Sequence, residues 1–191
     1  MSELKKHIAI FEGAYDSVKK MPENDKEICF LGRSNSGKSS LIAALFQNKS
    51  IVKTSSKPGC TQTVNLYKYN SFFLTDLPGY GYAKISKSKR SLLSNIILEY
   101  ISKRKQISTV FLLLDCKREP EKEEIYIRDF FWERNIPVQL IFTKIDRLNQ
   151  KELFLLNKKK KDLETLFHNI VLSSSKKNIG IDFILNFIQS I

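Results

Sequence analysis

Short apolar runs of strand length alternate along the chain with stretches whose apolar residues recur at helical spacing. The first run, Ile28-Cys29-Phe30-Leu31, stops at a glycine, and Leu41 to Phe46 then reads as a helix. Val64 to Tyr69 and Ser71 to Thr75 flank Asn70 as the arms of a hairpin, which sets one antiparallel strand beside an otherwise parallel sheet. Leu92 to Ile101 has helical spacing, Val110 to Leu114 is a buried strand, and Glu121 to Trp132 is a helix. Val138 to Phe142 is a strand, Lys151 to Phe167 a helix, Ile170 to Leu172 a strand and Ile181 to Ile188 a last helix. The alternation predicts a three-layer α/β fold: a mostly parallel sheet with one antiparallel strand, helices on both faces, and functional loops at the carboxyl ends of the strands. Residues 1–26 precede this pattern as an N-terminal extension, in which Ile8 to Phe11 suits an edge strand, and residues 27–191 form the domain proper.

Composition narrows the picture. With 191 residues, 42% of them hydrophobic and 11% aromatic, the chain suits one compact domain. No apolar run approaches the ~18 to 20 residues that span a bilayer, and Met1 to His7 is charged, so a cytoplasmic protein without membrane contact is expected. The three cysteines lack metal or redox spacing and are expected to be reduced, with Cys29 and Cys116 in or near the core. Lys and Arg number 32 against 20 acids, a formal +12 that suits a polyanionic partner, although AT-rich codon usage raises Lys and Ile as well. Lys158 to Lys161 reads as a solvated helix face, His7 and His168 as structural or exposed, and Phe130, Phe131 and Trp132 as core packing.

Chemistry enters with Gly32-Arg33-Ser34-Asn35-Ser36-Gly37-Lys38-Ser39, which fits the phosphate-loop pattern GxxxxGK[ST] and lies between a strand and a helix, where that pattern must lie. Its glycines let backbone N–H groups and the helix N-terminus face phosphate oxygens, while Lys38 reaches the β- and γ-phosphates and Ser39 ligates magnesium. Asp76-Leu77-Pro78-Gly79 directly follows a strand, so Asp76 takes a position behind the magnesium and Gly79 offers its N–H to the γ-phosphate. Thr143-Lys144-Ile145-Asp146 follows another strand and matches the guanine-reading pattern [NT]KxD. A buried Asp146 carboxylate is expected to accept from guanine N1–H and the 2-amino group, which adenine cannot offer, and the stem of Lys144 covers one face of the base. Leu172-Ser173-Ser174 follows the last strand and is expected to present N–H groups to guanine O6. Lys57 to Thr63 reads as a switch whose threonine hydroxyl ligates magnesium only with γ-phosphate present; Thr61 is the candidate and Thr63 the alternative.

Gly32 to Leu41, including Ser40, together with Lys57-Pro58-Gly59-Cys60-Thr61-Gln62, Asp76-Leu77-Pro78-Gly79-Tyr80-Gly81-Tyr82-Ala83 and Thr143 to Leu148, closely resembles the EngB family of bacterial ribosome-biogenesis GTPases. The resemblance implies a P-loop GTPase fold, GTP and GDP binding, weak magnesium-dependent hydrolysis, a role in maturing the large ribosomal subunit, and a link to cell division and septation. Magnesium ligands carry over to Ser39 and Thr61, nucleotide contacts to the quoted segments, and catalytic roles to Lys38, Thr61 and Gly79. Cys60 departs from a position that is usually basic in the family.

A metabolic phosphotransferase is the competing class, against which the guanine-reading segment argues; a binding module with a dead site conflicts with intact Lys38, Ser39 and Asp76. Hydrolysis is expected to be slow, because Tyr80 follows the Asp-x-x-Gly segment and a phenol does not orient water as an amide does. Asn35 is the candidate for holding a stimulating potassium ion. A monomer is expected. From Lys84 to Lys105 seven basic residues face one acid, Glu99, which makes this stretch a candidate cationic surface for the RNA and proteins of the large-subunit precursor.

Overall fold

The computed structural model describes residues 9–47, 63–81 and 87–191, with backbone alone for 87–94. One seven-stranded sheet has the order β1-β3-β4-β2-β5-β6-β7. Its strands are β1 (Ile10–Tyr15), β2 (Glu27–Gly32), β3 (Val64–Tyr69), β4 (Phe72–Asp76), β5 (Ile107–Asp115), β6 (Val138–Thr143) and β7 (Asn169–Leu172). Only β3 runs against the others, being antiparallel to β1 on one side and β4 on the other. The helices are α1 (Lys38–Leu45), α2 (Lys87–Lys103), α3 (Lys122–Trp132), α4 (Gln150–Leu163) and α5 (Ile181–Ser190).

The expected three layers follow from alternation within the central strands. Cys29 and Leu31 of β2 join Val110, Leu112 and Leu114 of β5 on one face, packed with residues of α2, α3 and α4 such as Tyr100, Phe131 and Leu156. Ile28, Phe30, Phe111 and Leu113 point the other way, onto Leu41, Ile42 and Leu45 of α1 and Ile184 and Ile188 of α5. Strands covered on both faces have no need of polar positions, which is why their sequences are nearly continuous apolar runs. Helix starts are fixed locally. Asn149 accepts from the Glu152 N–H at 2.9 Å while its own N–H donates to the Glu152 carboxylate at 2.8 Å, closing a capping box on α4.

Several boundaries differ from the pattern, each for a physical reason. β1 lies in the expected place but runs from Ile10 to Tyr15, with a register irregularity between Phe11 and Gly13. β5 begins at Ile107 rather than Val110, because Ser108 and Thr109 donate their hydroxyls to the Glu27 and Pro137 carbonyls and so sit in a strand without cost. α4 ends at Leu163; Leu166 and Phe167 still reach the core, but through a turn closed on the Leu163 carbonyl. Trp132 is 64% exposed although Phe131 beside it is fully buried. Consecutive helical residues are rotated by about 100°, so three in a row cannot share one inward face. Cys29 and Cys116 are buried free thiols, as expected.

β2 also carries a buried carboxylate. Glu27 accepts from Arg104 at 2.6 and 3.0 Å, and from the hydroxyls of Tyr100 and Thr75, while Arg104 also donates to the Pro22 carbonyl at 2.9 Å. This network ties the end of α2 to the start of β2. It also withdraws Arg104 from the surface, and Lys103 pairs with Glu99 at 2.7 Å. The end of the Lys84 to Lys105 stretch is therefore not the free cationic face its composition suggests; Lys84 lies outside the described residues.

Candidate nucleotide site

The phosphate loop leaves β2 at Gly32, where a Cβ would stand 2.7 Å from the Leu113 carbonyl oxygen and 2.6 Å from the Ser36 hydroxyl, so only glycine fits. Asn35 and Gly37 take left-handed conformations, φ 66° and 89°, turning successive amides toward a common point before α1 begins at Lys38. Among the described residues, the N–H groups of Asn35, Gly37, Lys38, Ser39 and Ser40 have no backbone acceptor. A ring of unpaired amides at a helix N-terminus is an anion cradle. Ser36 adds a buried hydroxyl without a partner among the described residues.

The β4 end closes onto this loop. Lys38 forms a buried ion pair with Asp76, and the Asn65 amide reaches the other Asp76 oxygen at 3.5 Å. Leu77 donates to the Phe30 carbonyl at 3.1 Å, and Pro78 follows it into the interior. Gly79 lies against Ser34, where a Cβ would come within 3.0 Å of the Ser34 backbone. The Ser34 N–H donates to the Tyr80 carbonyl at 2.8 Å, so one loop amide is already occupied. The Tyr80 phenol donates to Glu124 at 2.8 Å; Arg33 of the loop lies over the Tyr80 ring and meets the same buried carboxylate at 2.7 Å, with Glu121 and Glu123 further out. Burial pushes the Glu124 carboxyl up, but Arg33, the Glu121 N–H and the Tyr80 hydroxyl outweigh it and hold the group below its ordinary range.

At the other end of the loop the β6 terminus supplies the base-reading segment. The Thr143 hydroxyl lies 2.5 Å from the Ser36 carbonyl and 3.2 Å from that of Leu114, joining the phosphate loop to β5 and β6. Lys144 is left-handed, φ 60°, and its ammonium reaches the Asn35 carbonyl and the Asp115 carboxylate at 2.9 Å. Burial raises the Asp115 carboxyl, yet the Lys144 and Lys117 N–H bonds prevail and keep it ionised below its usual range. Ile145 is buried and donates to the Ser173 carbonyl at 3.2 Å. Asp146 is half-exposed rather than buried as expected, because it sits in a single turn beyond the end of β6 where only Ile145 faces inward, and it accepts from the Ser174 hydroxyl at 2.6 Å. That bond is the main reason its carboxyl lies below the ordinary value.

The expected O6 donors are a correction. Leu172 ends β7, but the Ser173 N–H donates to the Phe142 carbonyl at 2.8 Å and that of Ser174 to the Ile179 carbonyl at 3.0 Å. The next amide, of Ser175, has no backbone acceptor among the described residues. Glu124, Asp115 and Ser175 are thus the site residues that the sequence reading missed; only Glu124 had a local signal, as the third residue of the α3 capping box. Gly59, Cys60, Thr61 and Gln62 lie outside the described residues. Thr63 precedes β3 near the point where Asn65 pairs with Asp76, and its buried hydroxyl has no partner among the described residues. For magnesium the residues present fit: Asp76 is buried at the loop, Ser39 lies in the first turn of α1, and the described residues hold no group of three or more carboxylates, thiols or imidazoles placed to hold a metal by themselves. A cation of this kind is usually held by a few protein oxygens together with phosphate and water.

Comparison with solved structures places the fold. A crystal structure described as a probable GTP-binding protein engB superposes with a TM-score of 0.68 at 24% identity, over 86% of this chain and 97% of that one. Era from Aquifex aeolicus bound to GDP and aluminium fluoride gives 0.63 at 24% identity, over 85% of this chain and 55% of that one. A family model described as 50S ribosome-binding GTPase matches residues 27–144. Fold and site together define a P-loop GTPase. Among its relatives, a probable GTP-binding protein EngB of Desulforapulum autotrophicum is 42% identical over 82% of this chain and 81% of its own length. One from Porphyromonas gingivalis is 40% identical over 99% and 96%. The chain belongs to the EngB family of GTP-binding proteins.

Proposed function

We propose that this GTPase is a magnesium-dependent, guanine-specific switch that binds the large ribosomal subunit precursor in its GTP state and assists subunit assembly. One observation carries the nucleotide part: a half-exposed Asp146 oriented by Ser174 stands beyond the same loop whose other end is a cradle of unpaired amides. In this reading Asp146 accepts from guanine N1–H and the 2-amino group, the Ser175 N–H meets O6, and Lys144 lies along the base. The amides of Asn35 and of Gly37 to Ser40 hold the phosphates, and Lys38 exchanges Asp76 for phosphate oxygens. Ser39 and Thr61 would hold magnesium, which supplies charge neutralisation across the β- and γ-phosphates when bound. Gly79 would sense the γ-phosphate from its seat beside Ser34.

Intrinsic hydrolysis is slow in this reading, because the Tyr80 phenol is engaged by Glu124 and takes no part in orienting water. Asn35 has its carbonyl turned to Lys144 and its side chain at the surface, which suits a potassium ion beside the phosphates. The ribosomal role is supported by the description of the matching family model and by the +12 charge. A cytoplasmic monomer linked to normal division and septation accords with that role, and no described helix is long and apolar enough to cross a membrane. Co-sedimentation with large-subunit particles tests the reading: the GTP-analogue form should pellet with them and the GDP form should not. Equal pelleting in both states, or in neither, overturns it.

A further inference from the structure

The four-lysine run on α4 divides into two kinds of charge. Lys159 pairs with Glu119, and Lys160 lies 3.9 Å from Glu164. Lys151, Lys158 and Lys161 have no acidic partner within ion-pair distance among the described residues, and all three are exposed. Their spacing of seven and three residues sets them on the face of α4 opposite Leu156 and Leu163, which are buried. Between them on that face lie Phe154, 69% exposed, and Leu155, 53% exposed. Tyr126 and Trp132 on α3 are exposed singly, as is ordinary on protein surfaces, and Ile10 and Phe11, though adjacent, are strand residues that fall on opposite faces of the sheet. An adjacent Phe-Leu pair framed by unpaired lysines is not ordinary, because it leaves both apolar area and charge uncovered.

We propose that this face of α4 is an RNA-docking surface, with Phe154 stacking on an unpaired base and Lys151, Lys158 and Lys161 meeting the flanking phosphates. The inference rests on the reading that the partner is ribosomal. Charge complementarity selects the occupant: three free cations against one exposed acid on that side, Asp162, call for a polyanion, and an exposed aromatic ring offers a base a sequence-tolerant platform. A membrane surface fits less well. An interfacial helix needs a broad apolar face, whereas the remaining apolar residues of α4 include Leu156 and Leu163, already buried in the core. The surface differs from the stretch ending at Lys105, where Arg104 is locked to Glu27.

Three proteins test it: wild type, Phe154→Ser, and Lys151, Lys158 and Lys161 changed together to Glu. Each is loaded with GTP analogue and titrated into fluorescent single-stranded oligouridylate across a salt series, with large-subunit particles in parallel. GTP affinity, unchanged in both variants, shows that the fold is intact. Phe154→Ser should weaken oligouridylate binding about tenfold with the salt slope unchanged. The triple change should weaken it further and flatten the slope by about 0.7 for each phosphate no longer neutralised. If both variants match wild type on the oligonucleotide and on particles that wild type binds, the α4 proposal is wrong and the ribosomal reading stands. If wild type ignores the particles but binds oligouridylate through these residues, the ribosomal reading fails and the RNA surface stands. Preference for polyglutamate or phosphatidylserine vesicles over RNA, abolished by the triple change, would also overturn the proposal.

Discussion

At the base end of the site, each polar group is already where a ligand needs it: Asp146 is held by Ser174, Lys144 by Asp115 and Asn35, and Thr143 by the phosphate loop. At the phosphate end the groups meant for the ligand hold one another, Lys38 with Asp76 and the Ser34 N–H with the Tyr80 carbonyl. On the proposed function, base recognition would therefore need no rearrangement, whereas phosphate binding would exchange partners. The free energy of nucleotide binding at that end would then be a difference between two sets of charge-assisted contacts, and the segment beginning at Gly79 would be released or captured by the same exchange.

The contrast is broken most severely at Lys38. In the ligand-free protein, Lys38→Met leaves Asp76 buried and unpaired, and should lower stability by about 3 to 5 kcal/mol in urea unfolding. Adding Asp76→Asn should restore most of it; a wild-type midpoint for the single variant would show that the exchange picture is wrong. Asp146→Asn is expected to leave stability alone and weaken GTP by about 1.5 to 3 kcal/mol, while xanthosine nucleotides gain, because their C2 carbonyl accepts from the new amide. Calorimetric titration with both nucleotides checks this. Ser174→Ala should weaken GTP by only about 1 kcal/mol and bring no xanthosine gain, since it frees the Asp146 carboxylate without changing its chemistry.

The smallest effect belongs to Glu124. Its carboxyl is held below the ordinary value, so its contribution to stability is full above about pH 4.5 and is lost as pH falls through the lowered value. Glu124→Gln should therefore start less stable than wild type at neutral pH and lose less on acidification. Parallel stability curves from pH 6 to about pH 3 would rule this out.

Contiguous chemistry was legible in the sequence because it shapes its own backbone. The phosphate loop needs its left-handed Gly37, the base-reading segment turns at Lys144, and both follow apolar strands that announce themselves. Long-range ion pairs leave no such mark. Arg33 and Glu124 are 91 residues apart, Glu27 and Arg104 are 77 apart, and a charged residue bound for the interior looks like any surface charge until its partner is known. The serine run illustrates the intermediate case. Its place after β7 was readable, but the Ser173 N–H is used up by Phe142 of β6 and that of Ser174 by Ile179, and such tertiary pairing moved the free amide from the expected Leu172 to Ser174 run to Ser175.

β1 has a practical consequence for anyone shortening the chain. A protein begun at Glu27 keeps every recognisable motif but loses the neighbour that pairs with β3 from Val64 to Lys68, along with Val18 and Met21 from beneath α2. The bared strand, Val-Asn-Leu-Tyr-Lys-Tyr, has four apolar or aromatic residues among its six and a single charge to discourage pairing with another molecule. Such a truncation would preserve the nucleotide chemistry on paper and yield a sticky, self-associating protein in the tube.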